Sequence, residues 1–284
     1  MNVSAELPTT VGVYGGGRMG AGIAHAFLVA GTAVRVVESS PETADAARCR
    51  VEAGIEKAAE RGTLPASVTA VLDRLTVTVD PTDLAGCGLV VEAVPEDVSL
   101  KQRVLAEVER VSPSAVLATN TSSLSVDGLA AALKAPERFV GLHFFNPVPV
   151  SELVEIVVGA KTQPEIVAAA RGWAGALGKK AITVTDSPGF ASSRLGVAIA
   201  LEAMRMLDEG VATAEDIDTA MTLGYKHPVG PLKTTDIVGL DVRLAIAEYL
   251  ARELGERFEP PAVLRDKVAA GHLGRKTGQG FYTW

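Results

Sequence analysis

The chain has 284 residues, 48% of them hydrophobic, enough to bury one large core or two smaller ones, and its formal net charge is −7. That charge argues against nucleic acid or an anionic membrane as the main partner. The N-terminus does not resemble a signal peptide, no run approaches the roughly 18 apolar residues of a membrane span, and Cys49 and Cys87 form no metal or redox spacing, so a cytoplasmic protein with reduced thiols is expected.

After the polar leader MNVSAELPTT the chain reads VGVYGGGRMGAGIAHAFLVAG. Val11 to Tyr14 predicts a short strand, and Ala21 to Ala30 a helix ending at Gly31. Between them Gly15-Gly16-Gly17-Arg18-Met19-Gly20 fits G-x-G-x-x-G, with Gly15 for the tight turn, Gly17 for backbone approach to a pyrophosphate and Gly20 for helix–strand packing. The helix N-terminus adds free N–H groups and positive dipole for the same phosphate. A glycine-rich turn alone is weak evidence. Here the strand Ala33–Val37 follows and ends in Glu38, 18 residues after Gly20, close to the spacing of a carboxylate on the adenosine ribose hydroxyls. Glu38 repels a 2′-phosphate and no arginine follows it in Ser39-Ser40, which favours NAD over NADP.

A long helical stretch, Pro41–Arg61, comes next, followed by the strand signals LTVTVD, LVVEAV, AVLATN, RFVGLHFF, LVEIVVG and AITVTD with helical segments between several of them. Alternation of this kind predicts an α/β fold, a doubly wound and mostly parallel sheet, over residues 1–186.

Within it, His143 stands at the end of one β-branched and aromatic run, and Glu155 lies twelve residues later in a second, with NPVPVS between them. If these strands fold back antiparallel about Pro149, the two side chains oppose each other with Cβ atoms about 4.5–5.5 Å apart. A carboxylate at that distance fixes the imidazole tautomer and stabilises the imidazolium formed on proton capture, which is how a general-base histidine is built. A strand-end histidine beside an unrelated surface glutamate is the competing interpretation. His25, His227 and His272 have no spaced partner suggesting a metal site, and structural or exposed roles are expected for them.

From Ser187 the character changes. Pro188-Gly189 opens a region in which Leu195–Glu209, Ala214–Leu223 and Val242–Arg257 carry helical periodicity and almost no strand signal, so residues 187–284 are expected to form an all-helical domain.

Together these residues resemble the L-3-hydroxyacyl-CoA dehydrogenase family, and closely its free-standing 3-hydroxybutyryl-CoA branch. The likeness runs essentially end to end: GGGRMGAGIA, VVEAVPED, TNTSSLSV, HFFNPVPVSELVE, DSPGF, EDIDTAM, HPVGPL, VGLDV and GRKTGQGFY. It implies a Rossmann-like NAD-binding domain whose last strands are antiparallel, then a helical domain for substrate and for association of two subunits. No hydratase segment is attached, so the single-function form is expected.

The resemblance also implies roles. His143 is the catalytic base and Glu155 its orienting partner. Ser122 hydrogen-bonds the substrate 3-oxygen, to which a hydroxyl can donate or from which it can accept. Asn120 and Asn146 lie at the nicotinamide end of the cofactor, while Glu96 and Lys101 line the cofactor site beside Arg18 and Met19 of the glycine loop. Thr-Asn-Thr-Ser-Ser, which contains Ser122, also suits a helix cap or a turn. Arg50, Lys57 and Arg61 share or nearly share a helical face; they suit the phosphates of coenzyme A or a solvated face paired with Glu56 and Glu60.

One departure concerns the acyl site. Where the family commonly has asparagine near the thioester, Ser193 stands before Arg194, a shorter group with one donor instead of two. The expected function is NAD-dependent interconversion of a short (S)-3-hydroxyacyl-CoA and its 3-ketoacyl-CoA. The rivals are a same-fold dehydrogenase of another hydroxy acid or thioester, such as 3-hydroxyadipyl-CoA, an acyl-carrier-protein thioester or a sugar acid, and a non-catalytic NAD-binding protein.

Overall fold

A computed structural model of the chain describes residues 6–284. The backbone separates into two compact units, one ending at Asp186 and the other spanning Ser187–Trp284.

The first unit alternates strand and helix: β1 (Thr10–Tyr14), α1 (Arg18–Val29), β2 (Ala33–Val37), α2 (Pro41–Glu60), α3 (Val68–Leu72), β3 (Leu75–Thr78), β4 (Leu89–Glu92), α4 (Val98–Val111), β5 (Val116–Thr119), α5 (Val126–Ala130), β6 (Phe139–Phe144), β7 (Leu153–Val158), α6 (Pro164–Ala176) and β8 (Lys180–Thr185). One eight-stranded sheet runs in the order β3-β2-β1-β4-β5-β6-β7-β8. Neighbours are parallel except β6 and β7, so the last two strands run against the other six. The order reverses between β1 and β4, and such a reversal opens the crevice in which these sheets bind ligands at the carboxyl ends of their strands.

Both faces of the sheet are covered, which is why β4, β5 and β6 read as continuous apolar runs and are buried throughout. Ile23, Phe27 and Leu28 of α1 and Val51 and Ile55 of α2 pack on Val11, Val13, Val34 and Val36. Burying each such side chain contributes about 1.5–3 kcal/mol. Helix α2 begins with a reciprocal cap in which Ser40 Oγ accepts from Thr43 N and Thr43 Oγ1 accepts from Ser40 N, with Pro41 in the first turn. A cap of this type stabilises by about 1 kcal/mol.

The second unit is helical: α7 (Ser192–Asp208), α8 (Ala214–Thr219), a π-turn at Ala220–Gly224, α9 (Pro231–Val238), α10 (Leu240–Leu254) and α11 (Ala262–Ala269). Its core joins Leu201 and Met204 of α7 to Ile217, Leu232, Leu250 and Leu264. The helices differ from the sequence-based expectation in several places. The third long segment ends at Leu254 because Gly255 takes φ 88° and breaks the helix. The segment from Ala214 loosens at Ala220 into the π-turn. Helices α9 and α11, each only eight residues, carry too little periodicity to be read from sequence.

Among the described residues no helix is long and apolar enough to cross a membrane. Cys87 is buried and Cys49 exposed, both as free thiols.

His25 is 7% exposed on the inner face of α1, its ring against Gly54, and neither ring nitrogen reaches a partner in hydrogen-bonding geometry. Burial, acting together with the Lys179 charge, holds its pKa below the ordinary 6.5 despite the Gly54 backbone nearby. The unfolded chain therefore takes up the proton first. The stability contributed by the neutral ring is intact above about pH 6.5 and is lost as pH falls from there. Thermal melts between about pH 7.5 and 5.5 should show a smaller loss of Tm for His25→Gln than for the wild type. Equal losses would show that His25 does not contribute to acid sensitivity.

Candidate active site

The glycine loop leaves β1 at the switch point. Gly15 adopts φ +96°, which an L side chain rarely tolerates, and its N–H donates to Val37 O at 2.8 Å, closing the turn onto β2. Helix α1 starts at Arg18, three residues earlier than its apolar pattern indicates, with Gly17 extended as the N-cap. Arg18, Met19 and Gly20 are thus its first turn, whose N–H groups have no partner within the helix.

A Cβ on Gly20 would stand 1.7 Å from Gly15 O, and one on Gly16 would stand 2.3 Å from Ala47 Cβ, whereas one on Gly17 meets nothing within 4 Å. The loop is therefore packed tightly beneath and open above, a cradle suited to a pyrophosphate. Glu38, at the end of β2, accepts from Gly16 N at 2.5 Å and Ser39 N at 3.2 Å, which places its carboxylate beside that cradle. Arg50 of α2 reaches the loop as well, donating to Gly16 O at 3.3 Å.

Beyond β4 and β5 lies a polar shelf. Asn120 N donates to Glu92 O at 2.9 Å, and the Asn120 side-chain oxygen accepts from Phe144 N at 2.9 Å, tying the end of β5 to that of β6. Thr121 Oγ1 accepts from Leu124 N at 3.0 Å, giving a compact turn, while the cap of α5 is supplied by Ser125 and not by Ser122. Glu96 receives Thr121 Oγ1 at 2.5 Å and Ser122 N at 2.9 Å. Lys101, only 1% exposed, bonds Glu92 at 2.8 Å and pairs with Glu96 at 3.2 Å. Glu92 is the residue that sequence reasoning missed. Its signal was an acid at the end of an apolar strand, where charge is rarely buried without a partner.

On the next strands His143 of β6 faces Glu155 of β7, with Nδ1 2.7 Å from Glu155 Oε2. Both are buried, at 5% and 0% exposure, so solvent does not compete for the contact. Phe145 packs its ring 4.5 Å from the imidazole. The turn carrying Asn146 is held from below by Lys179, whose ammonium donates to Val148 O at 2.7 Å and Ser151 O at 2.6 Å. Burial pushes the Lys179 pKa down. Between α1, α2 and this turn is a cavity of about 380 Å³ lined by Arg18, His25, Arg50 and Asn146 among others.

The register carries β5 to Thr119 opposite Gly141, so Ser122, three residues past β5, and His143, near the end of β6, both stand at the carboxyl ends of adjacent strands. Asp186 closes the same edge, accepting from Ser125 Oγ at 2.8 Å and Asp127 N at 2.9 Å. Ser193 belongs to the second unit, in the first turn of α7. There Gly189 and Phe190 both take positive φ, 74° and 51°, as the chain turns into that helix.

A glycine cradle at the switch point, a carboxylate just past β2 and a buried histidine–glutamate pair on the far side of the shelf define a dinucleotide-dependent oxidoreductase. Residues 10–187 match the 3-hydroxyacyl-CoA dehydrogenase NAD-binding domain, and residues 189–284 match the C-terminal domain of the same enzymes. The chain therefore belongs to the 3-hydroxyacyl-CoA dehydrogenase family, with NAD as cofactor.

A 3-hydroxybutyryl-CoA dehydrogenase of Mycobacterium tuberculosis is 43% identical over 279 residues, covering 96% of this chain and 98% of its own length. The crystal structure of an (S)-3-hydroxybutyryl-CoA dehydrogenase from Ralstonia eutropha superposes with TM-score 0.93 at 38% identity, covering 98% of this chain and 99% of that one. A 3-hydroxyadipyl-CoA dehydrogenase of Escherichia coli is 39% identical, the match covering 97% of this chain and 59% of that protein.

The contrast between two glycines gives a test of the cradle. Gly20→Ala should disrupt the loop and abolish NADH binding, because the new methyl collides with backbone. Gly17→Ala should keep the melting behaviour within the roughly 0.5 kcal/mol of an ordinary surface change while weakening NADH, whose pyrophosphate needs that space. Thermal melts and NADH fluorescence titrations read both; a Gly17→Ala protein that binds NADH normally would contradict the cradle.

Proposed function

We propose that the chain interconverts short (S)-3-hydroxyacyl-CoA thioesters and the corresponding 3-ketoacyl-CoA. The observation that carries this reading is the buried His143–Glu155 contact of 2.7 Å at the end of β6. With Glu155 accepting from Nδ1–H, the tautomer leaves Nε2 as the basic nitrogen for the proton of the 3-hydroxyl. The imidazolium formed then lies against the Glu155 carboxylate, which offsets its charge where water is excluded.

In the reductive direction the same Nε2–H returns its proton to the ketone oxygen. Ser122 meets that oxygen with its hydroxyl, and Asn120 and Asn146 flank the nicotinamide end. NAD, when bound, supplies the hydride acceptor for C3. Arg18, Met19 and the glycine loop would hold its pyrophosphate and Glu38 its adenosine ribose, while Glu96 would line the remainder of its site with Lys101 buried behind it as its ion-pair partner.

Ser193 is assigned to the thioester end of the acyl group, residues 187–284 to substrate binding and association of two subunits, and the cytoplasm as the location. The matched relatives act, by their names, on four-carbon and adipyl thioesters, so acetoacetyl-CoA comes first, with 3-oxoadipyl-CoA as the second candidate. NADH oxidation measured across 3-ketoacyl thioesters of increasing length, with free acids as controls, decides between them. Turnover of free acids in preference to thioesters would overturn the reading.

His143→Gln should lower kcat by roughly 10²–10⁴ with NADH affinity nearly unchanged, the usual contribution of general acid–base catalysis. Glu155→Gln should also lower kcat strongly, since the amide keeps the hydrogen bond and removes the charge. Near-normal steady-state turnover in either variant would remove His143 from the role of base.

The Glu38 carboxylate also sets the choice of cofactor. Side-by-side kcat/KM values should favour NADH over NADPH, and replacing Glu38 by serine and Ser39 by arginine should narrow or reverse the preference. A wild-type enzyme that prefers NADPH would contradict the placement of the ribose on β2.

A further inference from the structure

One buried carboxylate beside the active site has no role in the mechanism above. Glu92 ends β4 at 1% exposure and takes three donors: Val94 N at 2.7 Å and Lys101 Nζ at 2.8 Å on Oε1, and Thr119 Oγ1 at 2.7 Å on Oε2. Lys101 has its three N–H groups matched by three acceptors, Glu92 Oε1, Val94 O at 3.1 Å and Glu96 Oε2 at 3.2 Å. Two carboxylates thus share one buried ammonium, and they differ in freedom. Glu92 is fully enclosed and pinned by donors from two directions. The Glu96 side chain is 40% exposed and spends its other oxygen on Thr121 Oγ1 and Ser122 N.

A buried ammonium requires a full counter-charge nearby. While Glu92 provides it, Glu96 needs only a long contact to Lys101 and is held in place by the turn it supports. Without the Glu92 charge, the ammonium has Glu96 as its only carboxylate, and the exposed, movable group is drawn off the turn. We infer that Glu92 is a positioning residue: by neutralising Lys101 it leaves Glu96 to hold the Thr121–Ser122 turn, and so it sets where the Ser122 hydroxyl stands. The Glu92 side chain also grips Thr119, so the start of the segment leading to Ser122 is held by it directly and the Thr121–Ser122 end through Glu96. The inference rests on Ser122 meeting the substrate oxygen.

The experiment is a double-mutant cycle on the full-length protein, with kcat for NADH-dependent reduction of acetoacetyl-CoA as readout and Tm recorded alongside. Glu92→Gln keeps the side-chain size and an acceptor for Thr119 but removes the charge. Because a misplacement of about 1 Å at a reacting site costs on the order of 10²-fold, a loss of at least roughly tenfold in kcat is expected in the wild-type background. In a Ser122→Ala background, where no hydroxyl remains to be positioned, the same substitution should cost less than about twofold.

A merely structural role for Glu92 would lower kcat by the same factor in both backgrounds, and that result overturns the inference while leaving Ser122 in place. A silent Glu92→Gln in the wild-type background overturns it equally. A silent Ser122→Ala overturns the reading of Ser122 and the inference with it. If Glu92→Gln does not yield folded protein, Glu92→Asp, which shortens the reach of the carboxylate to Lys101 by one methylene, decides by the same comparison. Its smaller loss must vanish with Ser122→Ala, and a loss that persists there overturns the inference.

Discussion

The register between β6 and β7 is the constraint on which the rest of the site depends. Side chains alternate across a sheet with a period of two, so a slip of one residue would carry Glu155 to the opposite face from His143 and leave a bare carboxylate in the core. The observed register pairs Gly141 with Val157, Leu142 with Ile156, His143 with Glu155 and Phe144 with Val154. Three of these four pairs are apolar and the fourth is the histidine–glutamate contact. Close packing fixes it further: a Cβ on Gly141 would stand 2.7 Å from Val157 Cβ, so this pair tolerates no bulk. Packing of apolar neighbours, in other words, aims the polar pair.

Besides that pair the first unit buries several other charged side chains. Glu92 and Lys101 are each 1% exposed, Lys179 is 8% exposed, and Glu109 accepts from the backbone N–H groups of Lys134 and Ala135. Each of these groups ties together segments distant in sequence: β4 to α4 and β5, the β6–β7 turn to the chain entering β8, α4 to the loop before β6. A buried pair of this kind gives little net stability against an apolar replacement, yet removing one partner typically costs about 3–5 kcal/mol. Their effect is to fix geometry. The segments that carry Asn120, Ser122 and Asn146 at strand ends are held in this way by Glu92, by Glu96 paired with Lys101, and by Lys179.

Much of this was legible in the sequence, for physical reasons. The alternation of apolar runs with helical periodicity gives the doubly wound sheet, and the spacing from Gly20 to Glu38 reflects the fixed length of one strand-helix-strand unit. The opposition of His143 and Glu155 follows from counting outward from a proline-rich turn. What could not be read are contacts closed by tertiary structure. Nothing in VVEAVPEDVSLK reveals that Lys101 turns back to Glu92, because the pairing depends on how α4 lies on β4 and β5. Lys179 gives no local sign that its acceptors are two carbonyls of a turn near residue 150. The beginning of α1 is not marked in the sequence, because Arg18-Met19-Gly20 has no apolar pattern. Its helical conformation is imposed by the extended Gly17 before it.

His143 and Glu155 stand on paired strands of the main sheet, not on a loop, and under the role proposed for them this separates two kinds of heritable change. Substitutions that alter what the enzyme accepts can accumulate in surface-facing helices and turns without disturbing proton transfer, since the sheet does not flex to accommodate them. Substitutions within β6 or β7 have no such latitude, because each must satisfy its neighbours on both sides. A lineage built on this scaffold is therefore conservative in its chemistry and permissive in its diet, and a substitution in the first turn of α7, such as at Ser193, lies outside those strands.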